Sequence, residues 1–325
     1  LKDYEVIKYE ASHKNAWDEF IKNAKNATFL FERDFMDYHA DRFTDHSLMV
    51  FKKGKLVAVL PANIQENTLH SHQGLTYGGL VLGKRTNFEE TVIIFTRILK
   101  FLESQGVTTL NLKLLPNIYH LLPSDEIAHL LFVVNAKLTR RDISSTIFYD
   151  ERLAIKSSNR KRGIKRGIKN GLEVREDSDF EKYWDDILVP NLNQTHGKDP
   201  VHSVAEIELL HSRFPKNIKQ FNVYKDAEIL AGVTVFETPT VAHCQYISSN
   251  TLGRNLGALD FLFDFLIDHY SNKRYFDFGI SNEAQGRKVN KGLIHWKEAF
   301  GGRSIAHDFY EVDTAQHHLL NDIYL

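Results

Sequence analysis

Hydrophobic and polar positions along the chain change period several times, and each change predicts an element. Trp17, Phe20 and Ile21 fall at helical spacing and predict a first short helix. Ser47 to Ile64 reads as a hairpin turning at Lys53-Gly54, with Leu56-Val-Ala-Val-Leu60 as its inner strand. Residues 73–83 form a glycine-rich loop, Phe88 to Ser104 a strongly amphipathic helix, and Val107 to Leu114 a strand closed by Pro116. The second half repeats this plan. Val50-Phe-Lys-Lys-Gly-Lys-Leu-Val-Ala58 sits against Val223-Tyr-Lys-Asp-Ala-Glu-Ile-Leu-Ala231. Each hairpin is followed by a strand, a glycine-containing turn, a long amphipathic helix and a buried strand. A repeat this long predicts duplicated domains, 1–150 and 151–325, rather than a solenoid.

One stretch carries more chemistry than its neighbours. His243 to Ser248 reads as a buried strand, and Thr251 to Gly257 as a turn with glycines at 253 and 257. Leu259, Leu262, Phe263, Leu266, Ile267 and Tyr270 then recur at helical spacing. Strand, turn and helix together leave backbone N–H groups at a helix start, where the macrodipole and Arg254 add positive charge. That suits a phosphate; a glycine-capped turn with no ligand fits the same residues. Arg274 to Ile280 follows as a second buried strand, and a polar loop leads to Val289–Gly302. The first half carries Tyr77-Gly-Gly-Leu-Val-Leu-Gly83 with no basic residue placed as Arg254 is, so only the second half is expected to keep a phosphate loop.

Between the halves, Lys156 to Leu172 predicts a basic helix over 156–171, with an apolar stripe at Ile164, Ile168 and Leu172. Ser157 or Ser158 caps its start and Gly171 ends it. Its cations either coat a solvated face or, through Arg160 or Lys161, reach an anionic acceptor.

Composition narrows the classes. At 325 residues, 42% of them hydrophobic and 12% aromatic, the chain can bury a sizeable core. Lys and Arg number 41 against 42 Asp and Glu, too balanced for a general polyanion binder, so nucleic acid is not the expected partner. The single cysteine, Cys244, excludes an internal disulfide and fits a reducing, cytoplasmic setting. No apolar run reaches the roughly 18 residues of a membrane span. The start, Leu1-Lys-Asp-Tyr, has neither an initiator Met nor a signal-peptide layout, so a trimmed start is expected. Neither His196-x5-His202 nor His317-His318 supplies a Cys/His/carboxylate set, so no metal is expected.

The order of elements after His243 resembles the acyl-CoA-binding half of the GNAT acyltransferase superfamily. Its Gln/Arg-x-x-Gly-x-Gly/Ala loop is matched by Arg254 and Gly257, with Leu259 at the last small position and Ala258 beside it. Its Asn-x-x-Ala-x-x-x-Tyr-x-x-x-Gly-Phe pattern meets Asn290, Leu293, Lys297, Gly301 and Gly302, so a lysine stands where a tyrosine commonly protonates the leaving thiolate. Tandem halves joined by a basic helix resemble the FemAB/FemX-like transferases, over nearly the whole chain. Within that group the intact later loop and Thr195-His-Gly-Lys-Asp-Pro-Val-His-Ser203 are most similar to nucleotide-sugar N-acyltransferases of bacterial surface-polysaccharide (O-antigen or capsule) pathways.

The resemblance implies an α/β (α+β) fold of two tandem GNAT-like domains, each a mixed central sheet flanked by helices. It implies an acetyl or 3-hydroxybutanoyl group moving from acyl-CoA to the amine of a dTDP-linked amino-dideoxy sugar by direct attack, in a monomer or homodimer. Peptide groups around Arg254, Asn255, Leu256, Gly257 and Ala258 are expected at the pyrophosphate, with Asn290 nearby. Ile247, Ser248 and Ser249 are expected to pair with the pantetheine amides, where two parallel strands splay. Orientation alone is worth about 7–11 kcal/mol, so the base need not be conspicuous. His196 is the first candidate base and His202 the second; Asp277 and Glu283 are rivals, and Asp277 equally suits a structural pairing. Lys297 either serves the thiolate, oxyanion or acceptor phosphate, or is the exposed side of a helix buried through Leu293, Trp296 and Phe300. Tyr77, Lys113 and Tyr119 from the first half, with Tyr246 and Ser281, are expected to line the acceptor. Cys244 is expected to be an inert buried thiol. Two other readings stay open: a FemX-type aminoacyl-tRNA-dependent cross-bridge transferase and a non-catalytic binding module of the same fold.

Overall fold

The two hairpins of the sequence pattern both form, the first within an antiparallel sheet and the second within a mixed one. The protein is described by a computed structural model covering residues 3–325, the side chain of His196 excepted. It divides into two units, Leu1–Asp142 with Ala284–Arg287 and Ala306–Leu325, and Ile143–Glu283 with Lys288–Ile305.

In the first unit Tyr4–Lys8, Leu48–Lys52, Lys55–Leu60 and Val81–Leu82 form an antiparallel sheet in that order. The hairpin turn needs left-handed backbone at Lys53 and Gly54, φ 50° and 76°. Helix Phe88–Ser104 begins at a capping box between Asn87 and Glu90. It buries Ile94, Phe95, Ile98, Leu99 and Leu102 in the core of this unit. Thr109–Lys113 follows, antiparallel to Phe309–Asp313 on one side and parallel to Thr68–His70 on the other.

In the second unit the strand order is Ile143–Phe148 (the later part of Lys137–Phe148), Tyr275–Ile280, Val241–Ser249, Glu228–Glu237, Ile218–Lys225 and Glu173–Asp177. Every pairing is antiparallel except that between Val241–Ser249 and Tyr275–Ile280. Helix Ala258–His269 covers one face and packs Phe263 among Phe276, Phe278 and Phe300. Among the described residues no helix is long and apolar enough to cross a membrane.

Two expectations change here. The basic helix forms over Ser158–Lys169, capped by the Ser157 hydroxyl, but its apolar stripe is used only in part: Leu172, just beyond it, is in the core, Ile164 is half-buried and Ile168 is 63% exposed. It packs through Gly163 and Gly167 against helix Ala258–His269, where a Cβ would stand 1.8 Å from the Asp260 carboxylate and 2.6 Å from the Phe261 side chain. Two glycines four apart let the backbones approach closely, and that contact outweighs the weaker apolar stripe. The expected turn 251–257 is itself helical. Asn250 caps a short helix, Thr251–Leu256, and Gly257 at φ 79° separates it from the next.

Candidate site at a pair of parting strands

Strands Val241–Ser249 and Tyr275–Ile280 pair for three residues only: Val241 with Tyr275, Ala242 with Phe276, His243 with Asp277. Beyond that register they part, and each carries a bulge at the place of parting. On Val241–Ser249, Cys244 lies opposite Val235 and Tyr246 opposite Thr234, so Gln245 is the extra residue. On Tyr275–Ile280, Asp277 and Ile280 lie opposite Thr146 and Ser144, and the irregularity includes Gly279 at φ 76°. A bulge bends its strand and re-aims side chains; two bulges facing each other hold the sheet open. In an antiparallel ladder only alternate residues bond to a given neighbour. The remaining N–H and C=O groups of Cys244–Ser249 therefore face the opening, where no strand of the described chain pairs with them.

The bulge also sorts side chains between faces. Cys244 and Ile247 pack with the core, whereas Tyr246 and Ser248 turn to the opposite face. There a π-helical turn, Trp184–Leu188, presents the Ile187 carbonyl to Ser248 Oγ at 3.4 Å. Tyr246 and His202 come together: the Tyr246 hydroxyl lies 2.6 Å from His202 Nδ1 and accepts the His202 N–H, while Trp184 Nε1 donates to the His202 carbonyl. His202 lies in the expected loop, before helix Val204–Arg213, but its side chain is buried and fastened. His196 ends helix Val189–His196, and its side chain lies outside the described residues.

At the last paired position sits a cluster that the sequence shows only in part. The Asp277 carboxylate accepts from Thr146 Oγ1 at 2.8 Å, from Ser144 Oγ, from the Gly279 N–H at 3.3 Å and from His243 Nδ1 at 2.7 Å. Burial alone raises a carboxyl, but the bonds from His243, Ser144 and Thr146 reverse this and hold Asp277 near 2. Such an acid is a poor proton acceptor near neutrality and a good anchor for an imidazole. Sequence reasoning passed over His243; its signal was a polar residue on an apolar strand.

Lys297 is not on the exposed side of its helix. It is 2% exposed, and Nζ donates to the carbonyls of Gly279 and Ile280 at 2.8 and 2.7 Å. The bulge makes this burial possible by freeing two carbonyls that a regular ladder would use. Burial lowers the Lys297 pKa to about 8, against the attraction of Asp277. Burial and then the Asp277 charge push the Cys244 thiol up, as an inert thiol requires. Ser281, next along the chain, is 1% exposed, and among the described residues its Oγ has no hydrogen-bond partner. Glu283 is exposed on the small hairpin formed with Lys288–Val289.

The phosphate loop differs from the expected one. Asn250 Oδ1 takes the Gly253 N–H, the Asn250 carbonyl takes the Arg254 N–H and the Arg254 carbonyl takes the Gly257 N–H. The amides of Arg254 and Gly257 are thus consumed inside the chain. Gly257 is buried, with its missing Cβ 2.4 Å from the Gly163 carbonyl, and Arg166 donates to the Asn255 carbonyl at 2.8 Å. A side chain at 257 would break this packing whether or not a ligand is bound. The donors left by helical geometry are those of the first turn at Thr251 and Leu252. The Arg254 guanidinium bonds the Ser249 carbonyl, Thr251 Oγ1 and Asn191 Oδ1, fixing this turn to the strand end. Leu256 is half-buried and Ala258 fully so, and Asn290 caps helix Lys291–Glu298 through Leu293 N–H.

The three first-half residues expected at the acceptor are committed elsewhere. Tyr77 and Tyr119 are buried ring against ring at 4.8 Å, and the Tyr77 hydroxyl donates to Thr28 Oγ1. Packed aromatic faces present nothing to a sugar. Lys113 Nζ donates to the carbonyls of Gln73 and Leu75, and burial lowers its pKa to about 8. Among the described residues no three His, Cys, Asp or Glu side chains gather as a metal-ligand set.

A strand-bulge-helix unit with parted parallel strands, and a second unit containing its own hairpin and long helix, decide the architecture. The fold is a tandem GNAT fold. The chain is similar to the crystal structure of FemX, with TM-score 0.67, 10% identity and coverage of 98% of this chain and 99% of that one. It is similar to the C-terminal domain of a protein described as a lysylphosphatidylglycerol synthetase from Agrobacterium fabrum, with TM-score 0.61, 12% identity and coverage of 95% and 94%. A tandem GNAT protein from the clavulanic acid biosynthesis pathway matches with TM-score 0.50, 12% identity and coverage of 96% and 98%. At these identities the likeness is one of fold. No protein-family model and no curated protein matches the sequence.

Proposed function

We propose that the chain is an acyl-CoA-dependent N-acyltransferase whose acceptor is the amine of a dTDP-linked amino-dideoxy sugar. The open edge of Cys244–Ser249 carries the reading. An extended ligand with amides along its length can pair there as an added strand, and pantetheine is such a ligand. The helical turn at Thr251, tied to the strand end by Arg254, lies next along the chain and suits the diphosphate. Lys297, pinned beneath the parted strand and near its titration point at pH 8, supplies positive charge to an acyl oxygen or a departing thiolate. The amino-sugar acceptor and the polysaccharide setting rest on the resemblance of residues 195–203 and of the later loop.

The test is release of free thiol when the protein meets acetyl-CoA or 3-hydroxybutanoyl-CoA with dTDP-3-amino-3,6-dideoxygalactose. Thiol released only when both substrates are present supports the reading, and none with either donor refutes it.

Aminoacyl transfer from a charged tRNA is the second reading. Lys161, Arg162, Lys165 and Lys169 are exposed on helix Ser158–Lys169, and among the described residues none has an acidic partner. Such a surface binds phosphates with strong salt dependence. Absence of binding to aminoacyl-tRNA at low salt eliminates this alternative.

A further inference from the structure

We propose that His243 is the base that takes the proton of the attacking amine and returns it to the departing sulfur, and that Asp277 is its positioning residue. The inference rests on the transferase reading above and adds a residue to it.

Three observations carry it. The first is place: His243 and Asp277 are the last pair across the two parallel strands before they part. Ala242, Cys244, Phe276 and Phe278 belong to the core on one face, so strand alternation sends His243 and Asp277 to the other. The pair therefore stands at the root of the opening into which the open strand edge leads a thioester. The second is protonation. Asp277 receives four donors, including His243 Nδ1, and stays a carboxylate, which only accepts hydrogen bonds. Nδ1 must then carry the hydrogen in the neutral ring, leaving the lone pair on Nε2. This is the arrangement in which an acid fixes the tautomer and heading of a basic histidine. The third is room. Gly279 lies beside the ring, and a Cβ there would stand 3.5 Å from His243 Cε1. The bulge glycine brings the strand close to the imidazole while its carbonyl holds Lys297. Two further titratable groups bear on the pair: Cys244, next in the chain, and Lys297 from helix Lys291–Glu298.

The step balances without a further reagent. The neutral amine attacks the thioester carbonyl, forming the C–N bond. His243 Nε2 takes one N–H proton. Collapse of the tetrahedral intermediate breaks the C–S bond, and the imidazolium gives the same proton to the sulfur, leaving amide and free thiol. A proton carried in this way removes the need for the tyrosine that Lys297 replaces.

The experiment uses the full chain with acetyl-CoA and dTDP-3-amino-3,6-dideoxygalactose. His243→Gln keeps a donor toward Asp277 and removes the base. Its kcat is expected to fall by about 10²–10⁴, with the acetyl-CoA KM unchanged and the ascending limb of the kcat/KM profile against pH lost. Asp277→Asn is expected to depress kcat while retaining a shifted ascending limb. Should His243→Gln fail to fold, nitrogen NMR of the unaltered protein decides: hydrogen on Nδ1 supports the assignment, and hydrogen on Nε2 overturns it. A wild-type pH profile and kcat in folded His243→Gln overturn it as well. No thiol release from the unaltered protein refutes the transferase reading instead, so the two failures are distinguishable.

Discussion

Each unit contains a strand that enters a long helix and a strand that leaves it, and the two pairs end differently. In the first unit Val81–Leu82 and Thr109–Lys113 form no ladder with each other; the hairpin Asn63–Gln65 and Thr68–His70 runs along the latter strand instead. The following residues complete the filling. Ser71 N–H bonds the Asn111 carbonyl, Gly78 N–H bonds the Lys113 carbonyl, and Ser71 Oγ takes the Lys113 N–H. In the second unit the corresponding strands pair for three residues and then leave an edge unfilled. The helix starts diverge too. Asn87 and Glu90 close the first in a capping box, with Glu89 adding more negative charge, whereas the first turn after Asn250 carries no acid. A polypeptide occupies in one unit what a ligand would occupy in the other. The lesson is that a binding edge is to be sought where backbone groups are left for something else to satisfy.

Truncating a side chain on each lining strand tests this difference with the largest expected effect. Leu69, on the filling strand, is fully buried, and Leu69→Ala should cost about 2–5 kcal/mol in urea unfolding. Ile247, on the open strand, is only half-buried, and Ile247→Ala should cost less than half as much while weakening acetyl-CoA binding. Equal losses of stability would mean that the second opening is as fully packed as the first.

Much of this contrast was legible in the chain. The hairpins, helix Phe88–Ser104, the strand at His243 and the strand at Tyr275 follow from hydrophobic period because each buries one face in a core. The opening was not legible as geometry, since it depends on bulges at Gln245 and Gly279 that alternation does not record. Gly279, alone between Phe278 and Ile280, was the usable signal, for a glycine inside a strand often marks a bulge. A solvent-facing Lys297 was one of two readings because lysines are rarely buried; its burial depends on carbonyls that the same bulge frees. The basic helix misled for a similar reason. Its isoleucines drew attention, while the small residues Gly163 and Gly167 made the contact. Asn255 and Gly257 looked available as a loop; Gly257 is instead packed beneath that helix, and the carbonyl of the exposed Asn255 is taken by Arg166.

Both openings hold a lysine on two carbonyls, and pH distinguishes them from ordinary surface lysines. Lys113 sits on carbonyls of the filling segment, Lys297 on those of the parted strand, and each is lowered from 10.5 to about 8. Between these values the unfolded chain holds a proton that the folded chain has released, so stability rises with pH across that window. One full proton is worth about 1.4 kcal/mol per pH unit, less for Lys113 because it is partly exposed. Lys297→Met and Lys113→Met should each flatten the rise between pH 8 and 10.5 in urea unfolding. Only Lys297→Met should also abolish thiol release. An unflattened rise in Lys297→Met would mean that its ammonium is not buried as described.

The helix caps give the smallest and most discriminating effect. Asn87→Ala and Asn250→Ala each remove a side-chain acceptor from a helix start, at about 1 kcal/mol of stability. The stability losses should be similar, because each removes one cap bond, although Asn250 also gives up a bond to the Ile229 carbonyl at 3.2 Å. Binding of CoA, followed by calorimetry, should not. Asn250 shapes the turn proposed for the diphosphate, and its loss should weaken CoA several-fold, whereas Asn87 lies at a start already closed by Glu90. If Asn87→Ala weakened CoA and Asn250→Ala did not, the two units would have to exchange roles, and the edge left open at Cys244–Ser249 would need a different occupant.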